Sequence, residues 1–195
     1  TITRRSKYFS PDISASGSKI AAVQIALNGK SELHVLDAAT GEVKNKIGSA
    51  EVILFTDPKF IGEDSVVSAV RLQDGRMALA IINLISGSSI RLTPPSFNVV
   101  GFPCVSNNII YFTASYGGND NVFAIKLDGP RIYKITKGPL GNYFVNVGAG
   151  KITWSAFTAE GYQLQQQEEA SVAWEPVSMK VVEELTAAYP VSQTN

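Results

Sequence analysis

The chain has 195 residues and carries 17 lysines and arginines against 17 aspartates and glutamates, a formal net charge of zero. That balance excludes the broad positive field of a nucleic-acid-binding domain and the polybasic surface that holds a protein on anionic lipid. The most apolar run, ALAIINLI at 78–85, is far shorter than the roughly 20 residues a helix needs to cross a bilayer, so no transmembrane segment is expected.

Arg4, Arg5 and Lys7 open the chain as a small basic run, expected to be solvated. From Tyr8 onward, short runs rich in Val, Ile, Ala and aromatic residues alternate with glycine-centred turns. SELHVLDAATGEV (31–43) shows the grammar: apolar and polar side chains alternate, the run stops at Asp37, turns on Thr40-Gly41 and starts again. Four turns of one kind recur at Asn28-Gly29, Asp74-Gly75, Gly117-Gly118 and Glu160-Gly161, their last glycines 46, 43 and 43 residues apart. The strands before them keep step, because Ile20, Val66, Ile109 and Ile152 have the same three spacings. SIRLT (89–93) and IYKIT (132–136) place Thr93 and Thr136 43 residues apart as unit-closing strands, and Thr40-Gly41, Ser86-Gly87 and Asp128-Gly129 make the hairpins between.

Gly or Pro interrupts nearly every window long enough for a helix, and only SMKVVEELTAAY (178–189) has mild helical character. Units of this length, each with four short strands and three turns, predict an all-β fold, a β-propeller of about four blades, with an ordinary β-sandwich as the alternative. The blades are expected at 8–52, 53–97, 98–141 and 142–180 within a propeller region of 1–180, with 181–195 as a C-terminal tail or linker. Open terminal blades leave apolar faces in water. Three arrangements answer this: a closed four-blade ring, a segment of a larger propeller, or two copies associating to complete one ring, the last two being preferred.

These residues carry a family resemblance. YFSPDISASGSKIAAV (8–23) resembles the SPDG-K-IAF opening of the TolB-like, or WD40-like, propeller repeat, and IYFTASYGGNDNVFAIKLDG (110–129) is similar to its TS-DR-GG-IY-D-G stretch. RLT (91–93) and KIT (134–136) match its blade ending. Ser115 and Tyr116 stand where the family has an Asp-Arg pair, so any salt bridge of that pair is absent. The Asp-Gly of the family's first turn is Ser16-Gly17 in unit one and is lost in unit three. The resemblance implies a non-enzymatic binding or scaffold propeller with a protein or peptide partner, in the periplasm or cell envelope of a bacterium. Related repeats in prolyl-oligopeptidase-type peptidases keep a second reading open, a propeller that gates a hydrolase encoded elsewhere in a longer chain. A glycan- or ion-binding propeller that uses its axial channel is the third.

Enzyme signatures are scarce: the sequence has no Gly-x-Ser-x-Gly elbow, Walker loop, His-Glu-x-x-His or paired cysteines. No catalytic residue, metal site or cofactor is therefore expected. His34, the sole histidine, lies inside a strand and is expected to be structural. Cys104, the sole cysteine, cannot close an intramolecular disulfide, leaves the redox compartment open, and is expected as a small buried hydrophobe. Trp154 is expected in the core and Trp174 over the last blade's open edge. Asn119, Asp120 and Asn121 lack the spaced carboxylates of a calcium loop, and turn chemistry accounts for them. Turns between second and third strands share a face with the inter-blade connections, and exposed aromatic residues on such loops anchor partners well. The candidate binding face is Phe97, Tyr116, Asn119, Asp120, Tyr143 and Tyr162, the alternative being that these rings pack between blades.

Overall fold

Period-two alternation broken by glycine turns makes a series of antiparallel meanders in the computed structural model, which describes residues 2–4, 6–27, 29–129 and 131–183. Blade 1 consists of β1 (Tyr8–Ile13), β2 (Lys19–Ile25), β3 (Ser31–Asp37) and β4 (Val43–Ile47). Blade 2 consists of β5 (Val52–Ile61), β6 (Ser65–Leu72), β7 (Met77–Asn83) and β8 (Ser89–Arg91). Blade 3 contains β9 (Val100–Ser106), β10 (Ile109–Ala114), β11 (Asn121–Lys126) and β12 (Ile132–Lys134), and blade 4 contains β13 (Gly141–Gly148), β14 (Lys151–Thr158) and β15 (Gly161–Glu168). This is a β-propeller architecture, with β1, β5, β9 and β13 as inner strands.

Local chemistry explains the repeat. At the end of β3 the Asp37 carboxylate accepts the backbone N–H groups of Ala39 and Thr40, and at the end of β7 the Asn83 side-chain oxygen accepts those of Ile85 and Ser86. A short polar side chain thus closes both hairpins by binding the backbone two and three residues ahead. The closing threonines act alike: Thr93 Oγ1 accepts from the Leu79 N–H and Thr136 Oγ1 from the Val122 N–H, each at 2.9 Å. Both buried hydroxyls thereby tie the end of a unit to its own third strand.

Three apolar layers lie between successive blades. Val23 and Leu33 meet Phe55 and Val70 between blades 1 and 2, and Val67 and Leu79 meet Phe112 and Phe123 between blades 2 and 3. Tyr111 and Val122 meet Ile152 and Trp154 between blades 3 and 4. Among the described residues no such layer joins blade 4 to blade 1, and the four sheets do not close on one another. The two end faces differ. On blade 1, Ala22, His34 and Leu36 alternate with the core residues yet are buried, and Ile2 lies against the β3–β4 turn so closely that a Cβ on Gly41 would overlap its carbonyl oxygen. On blade 4, Phe157, Tyr162 and Leu164 are exposed, Leu164 at 87%.

Blade 4 departs from the expected four strands. After β15 a 3-10 turn at Glu169–Ser171 turns the chain back, and β16 (Glu175–Pro176) adds to blade 3 beside β12. Trp174 sets this path: its ring packs 5.4 Å from Tyr133 and 6.2 Å from Tyr111, with the Lys126 ammonium 5.1 Å above it. Its expected place over the open edge of the last blade is therefore corrected to the border between blades 3 and 4. The physical reason is that β15, GYQLQQQE, is exposed nearly throughout and offers a fourth strand little apolar surface to cover. Helix α1 (Met179–Glu183) then seats Val182 in the layer between blades 2 and 3, and the rest of the expected helical run and tail, 184–195, lies outside the described residues.

Candidate functional site

Each inner strand carries an irregularity in the same place. Ser10, Asp57, Phe102 and Phe144 all have left-handed backbones, with φ of 47°, 49°, 52° and 55°. The pairing of each strand with its neighbour skips there, between Phe9 and Asp12, Thr56 and Lys59, Gly101 and Cys104, and Tyr143 and Asn146. Proline follows the first three, at 11, 58 and 103. Proline has no N–H to give a ladder and suits a bulge on an edge strand. A left-handed non-glycine residue costs on the order of 1 kcal/mol, and four of them in register point to a function for the bulge.

The bulges stack side chains around the axis in two tiers. In the first tier the Ser10 hydroxyl donates to Asp57 Oδ1 at 2.8 Å, and the Phe102 and Phe144 rings stand 4.5 Å apart, tilted by 58°. In the second, two residues further along each strand, Lys59 Nζ lies 3.1 Å from Asp12 Oδ1 and Cys104 Sγ lies 3.8 Å from Asn146 Oδ1. Asp12 Oδ2 also accepts the Phe60 N–H at 2.8 Å. Both tiers are polar on blades 1 and 2; the first is aromatic on blades 3 and 4. All of these residues but Ser10 line a cavity of about 480 Å³. Burial pushes the Cys104 thiol up from its ordinary pKa, so the half-buried sulfur stays protonated at neutral pH.

The first tier lies toward the turns that join second and third strands, because Tyr8, at that end of β1, pairs with Gln24 just before such a turn. From there the aromatic surface continues outward. The Phe144 and Tyr143 rings are 6.2 Å apart, Tyr143 and Tyr162 6.1 Å, and Tyr162 and Phe157 5.0 Å. The Tyr143 hydroxyl donates to Asp120 Oδ2 at 2.8 Å, and withdrawal from water together with that bond pushes its phenol up to about 12. The ring lies over Gly141, where a Cβ would collide with it.

The structure thus brings together three of the six residues expected on the binding face: Asp120, Tyr143 and Tyr162. Asn119 is exposed in the adjoining turn, and Phe97 is exposed beside Gly75 on the connection between blades 2 and 3. The expectation that Tyr116 is an exposed anchor is corrected. It is 2% exposed, packed 5.0 Å from Phe123 and 6.3 Å from Phe112, in the layer that Val181 and Val182 close from α1. Asn121 is wholly buried, donating to the Asn119 carbonyl and accepting from Thr136 and Asn142. His34 is 1% exposed, with Nδ1 2.8 Å from the Tyr8 hydroxyl and Nε2 3.0 Å from Glu32 Oε2, so both ring nitrogens are satisfied inside blade 1. Among the described residues no three histidines, cysteines or carboxylates are grouped to hold a metal, and no helix is long and apolar enough to cross a membrane.

The channel tiers escape a reading based on turns. Their signal in the sequence is the recurrence of Pro11, Pro58 and Pro103 at 47 and 45 residues, close to the period of the turns. A proline inside an otherwise apolar strand marks a bulge on an edge.

The fold is that of TolB-like β-propellers. The chain superposes on a protein described as TolB from Agrobacterium tumefaciens with a TM-score of 0.69 and 19% identity, over 89% of this chain and 66% of that one. TolB from Acinetobacter baumannii gives 0.68 and 17%, over 89% of this chain and 44% of the other. A puromycin-hydrolyzing peptidase from Mycobacterium tuberculosis gives 0.66 and 12%, over 92% of this chain and 30% of the peptidase. The chain thus spans slightly less than two thirds of the first of these proteins and under half of the second. No family model matches the sequence, and no curated protein sequence matches it.

Proposed function

We propose that the chain is a non-enzymatic binding propeller whose channel mouth receives an extended segment of a protein or peptide. The observation that carries this reading is the convergence of four left-handed inner-strand bulges on one cavity, continuous with the ridge Phe144, Tyr143 and Tyr162. Rings give a ligand large contact area at small entropic cost, and Asp57 and Asp120 supply acceptors beside them. Phe97 and Asn119 belong to the rim of the same turn-bearing face. The likeness to TolB structures supports a protein partner and a periplasmic or envelope location. The exposed face of blade 4 suits further blades or a second copy that completes the ring.

Panning a random peptide library on the immobilised chain tests this. Enriched peptides are expected to bind in the micromolar range and to lose about tenfold in affinity with Phe144→Ala or Tyr143→Ala at little change in melting temperature. Binding to both variants as tight as to the unsubstituted chain would contradict the assignment. The superposition on a peptidase favours a second reading, a propeller that gates a catalytic module elsewhere in a longer chain. That reading requires the full gene product to react with a fluorophosphonate serine probe; the binding reading requires that it does not.

A further inference from the structure

Three charged side chains line the cavity, and their pairing is uneven. Asp12 is satisfied on both oxygens, by Lys59 Nζ at 3.1 Å and by the Phe60 N–H at 2.8 Å. Asp57 receives only the Ser10 hydroxyl, at 2.8 Å, and among the described residues no cation lies within ion-pair distance of it. The cavity therefore keeps one uncompensated negative charge. It sits in the tier that also holds the Phe102 and Phe144 rings. Building on the peptide-binding reading above, we infer that the channel selects a basic side chain, a guanidinium or ammonium group.

The other ligand classes fare worse on elementary grounds. An acidic group meets the Asp57 carboxylate, and the one lysine is already held by Asp12. A purely apolar group withdraws Asp57 from water and leaves it with a single hydroxyl donor, which is costly for an ionised carboxylate. A cation donates a charge-assisted hydrogen bond to Asp57 and gains the attraction of aromatic faces. A guanidinium fits best, because its plane lies flat on a ring while its edge donates to a carboxylate. The volume of about 480 Å³ suits one long side chain with its flanking backbone.

The test uses three blocked pentapeptides, Gly-Ser-Xaa-Ser-Gly, with Arg, Leu or Glu at the centre, titrated into the isotopically labelled chain and followed through its backbone amide resonances. The Arg peptide is expected to shift the amides at 57, 59, 60, 102 and 104 more strongly and at lower concentration than the other two, with an affinity that falls as salt rises. Asp57→Asn is expected to weaken the Arg peptide about tenfold, to remove most of that salt dependence and to leave the Leu peptide no weaker. Channel shifts of equal size from all three peptides, or an Arg affinity unaltered by Asp57→Asn, would overturn the selection for a cation while leaving peptide binding at the channel intact. Absence of channel shifts with every peptide would overturn both.

Discussion

Replacing Phe112 by alanine separates a blade–blade layer from an open face. Phe112 is wholly buried between blades 2 and 3, with the Phe123 ring at 6.1 Å and the Tyr116 ring at 6.3 Å. Truncating a buried phenylalanine removes its transfer free energy and leaves a cavity that close-packed neighbours fill poorly, about 3–5 kcal/mol. At about 2–4 °C per kcal/mol for a chain of this size, the melting temperature falls by about 6–20 °C. Phe157 provides the control, being 44% exposed on the outward face of blade 4. Phe157→Ala is expected to cost about 1 kcal/mol or less. Urea unfolding followed by far-UV circular dichroism measures both, with solution mass checked alongside. A loss below about 1 kcal/mol for Phe112→Ala would refute the account of the layers. A loss for Phe157→Ala as large as that for Phe112→Ala would refute the assignment of an open face in the isolated chain.

Gly141→Ala places a Cβ inside the space of the Tyr143 ring and so breaks the bond to Asp120. Peptide affinity is expected to fall about as far as with Tyr143→Ala, measured by calorimetry on a library-selected peptide, with unfolding changed by about 1 kcal/mol. In alkali, burial holds the Tyr116 phenol at about 12 in the folded chain against 10 for a free one. A folded pKa raised above the unfolded value means that the stability tied to the neutral phenol is whole below pH 10 and is lost as pH climbs toward 12. Tyr116→Phe is accordingly expected to flatten the alkaline decline by up to about 3 kcal/mol, read from unfolding at pH 9 to 12.

The propeller was legible because its turns depend on glycine and its blade endings on a buried threonine, and both leave marks at a fixed spacing. Asp37 and Asn83 show the same economy, one residue type setting one turn. Blade 4 was less legible, although QLQQQEE is polar at successive positions and has no inward-facing stripe for a further strand to cover. Tyr116 was misplaced because SYGG has the composition of an exposed turn, while the residues that bury it, Val181 and Val182, arrive from the far end of the chain. No local pattern encodes such a contact. The channel was half legible. Prolines at 11, 58 and 103 mark the bulges, but Phe144 is followed by Val145 and carries no such mark. Only the structure brings residues of all four bulged strands around one cavity.

Photo-crosslinking from the first tier tests the central claim most directly. Phe144→p-benzoylphenylalanine puts the reactive group at the channel mouth, and the same replacement at Ile90, 70% exposed on the outer strand β8, puts it on the opposite edge of a blade. With a library-selected peptide bound and the sample irradiated, the account predicts a covalent adduct from position 144 and none from position 90. An adduct from position 90 alone would contradict the assignment of the channel mouth as the binding site.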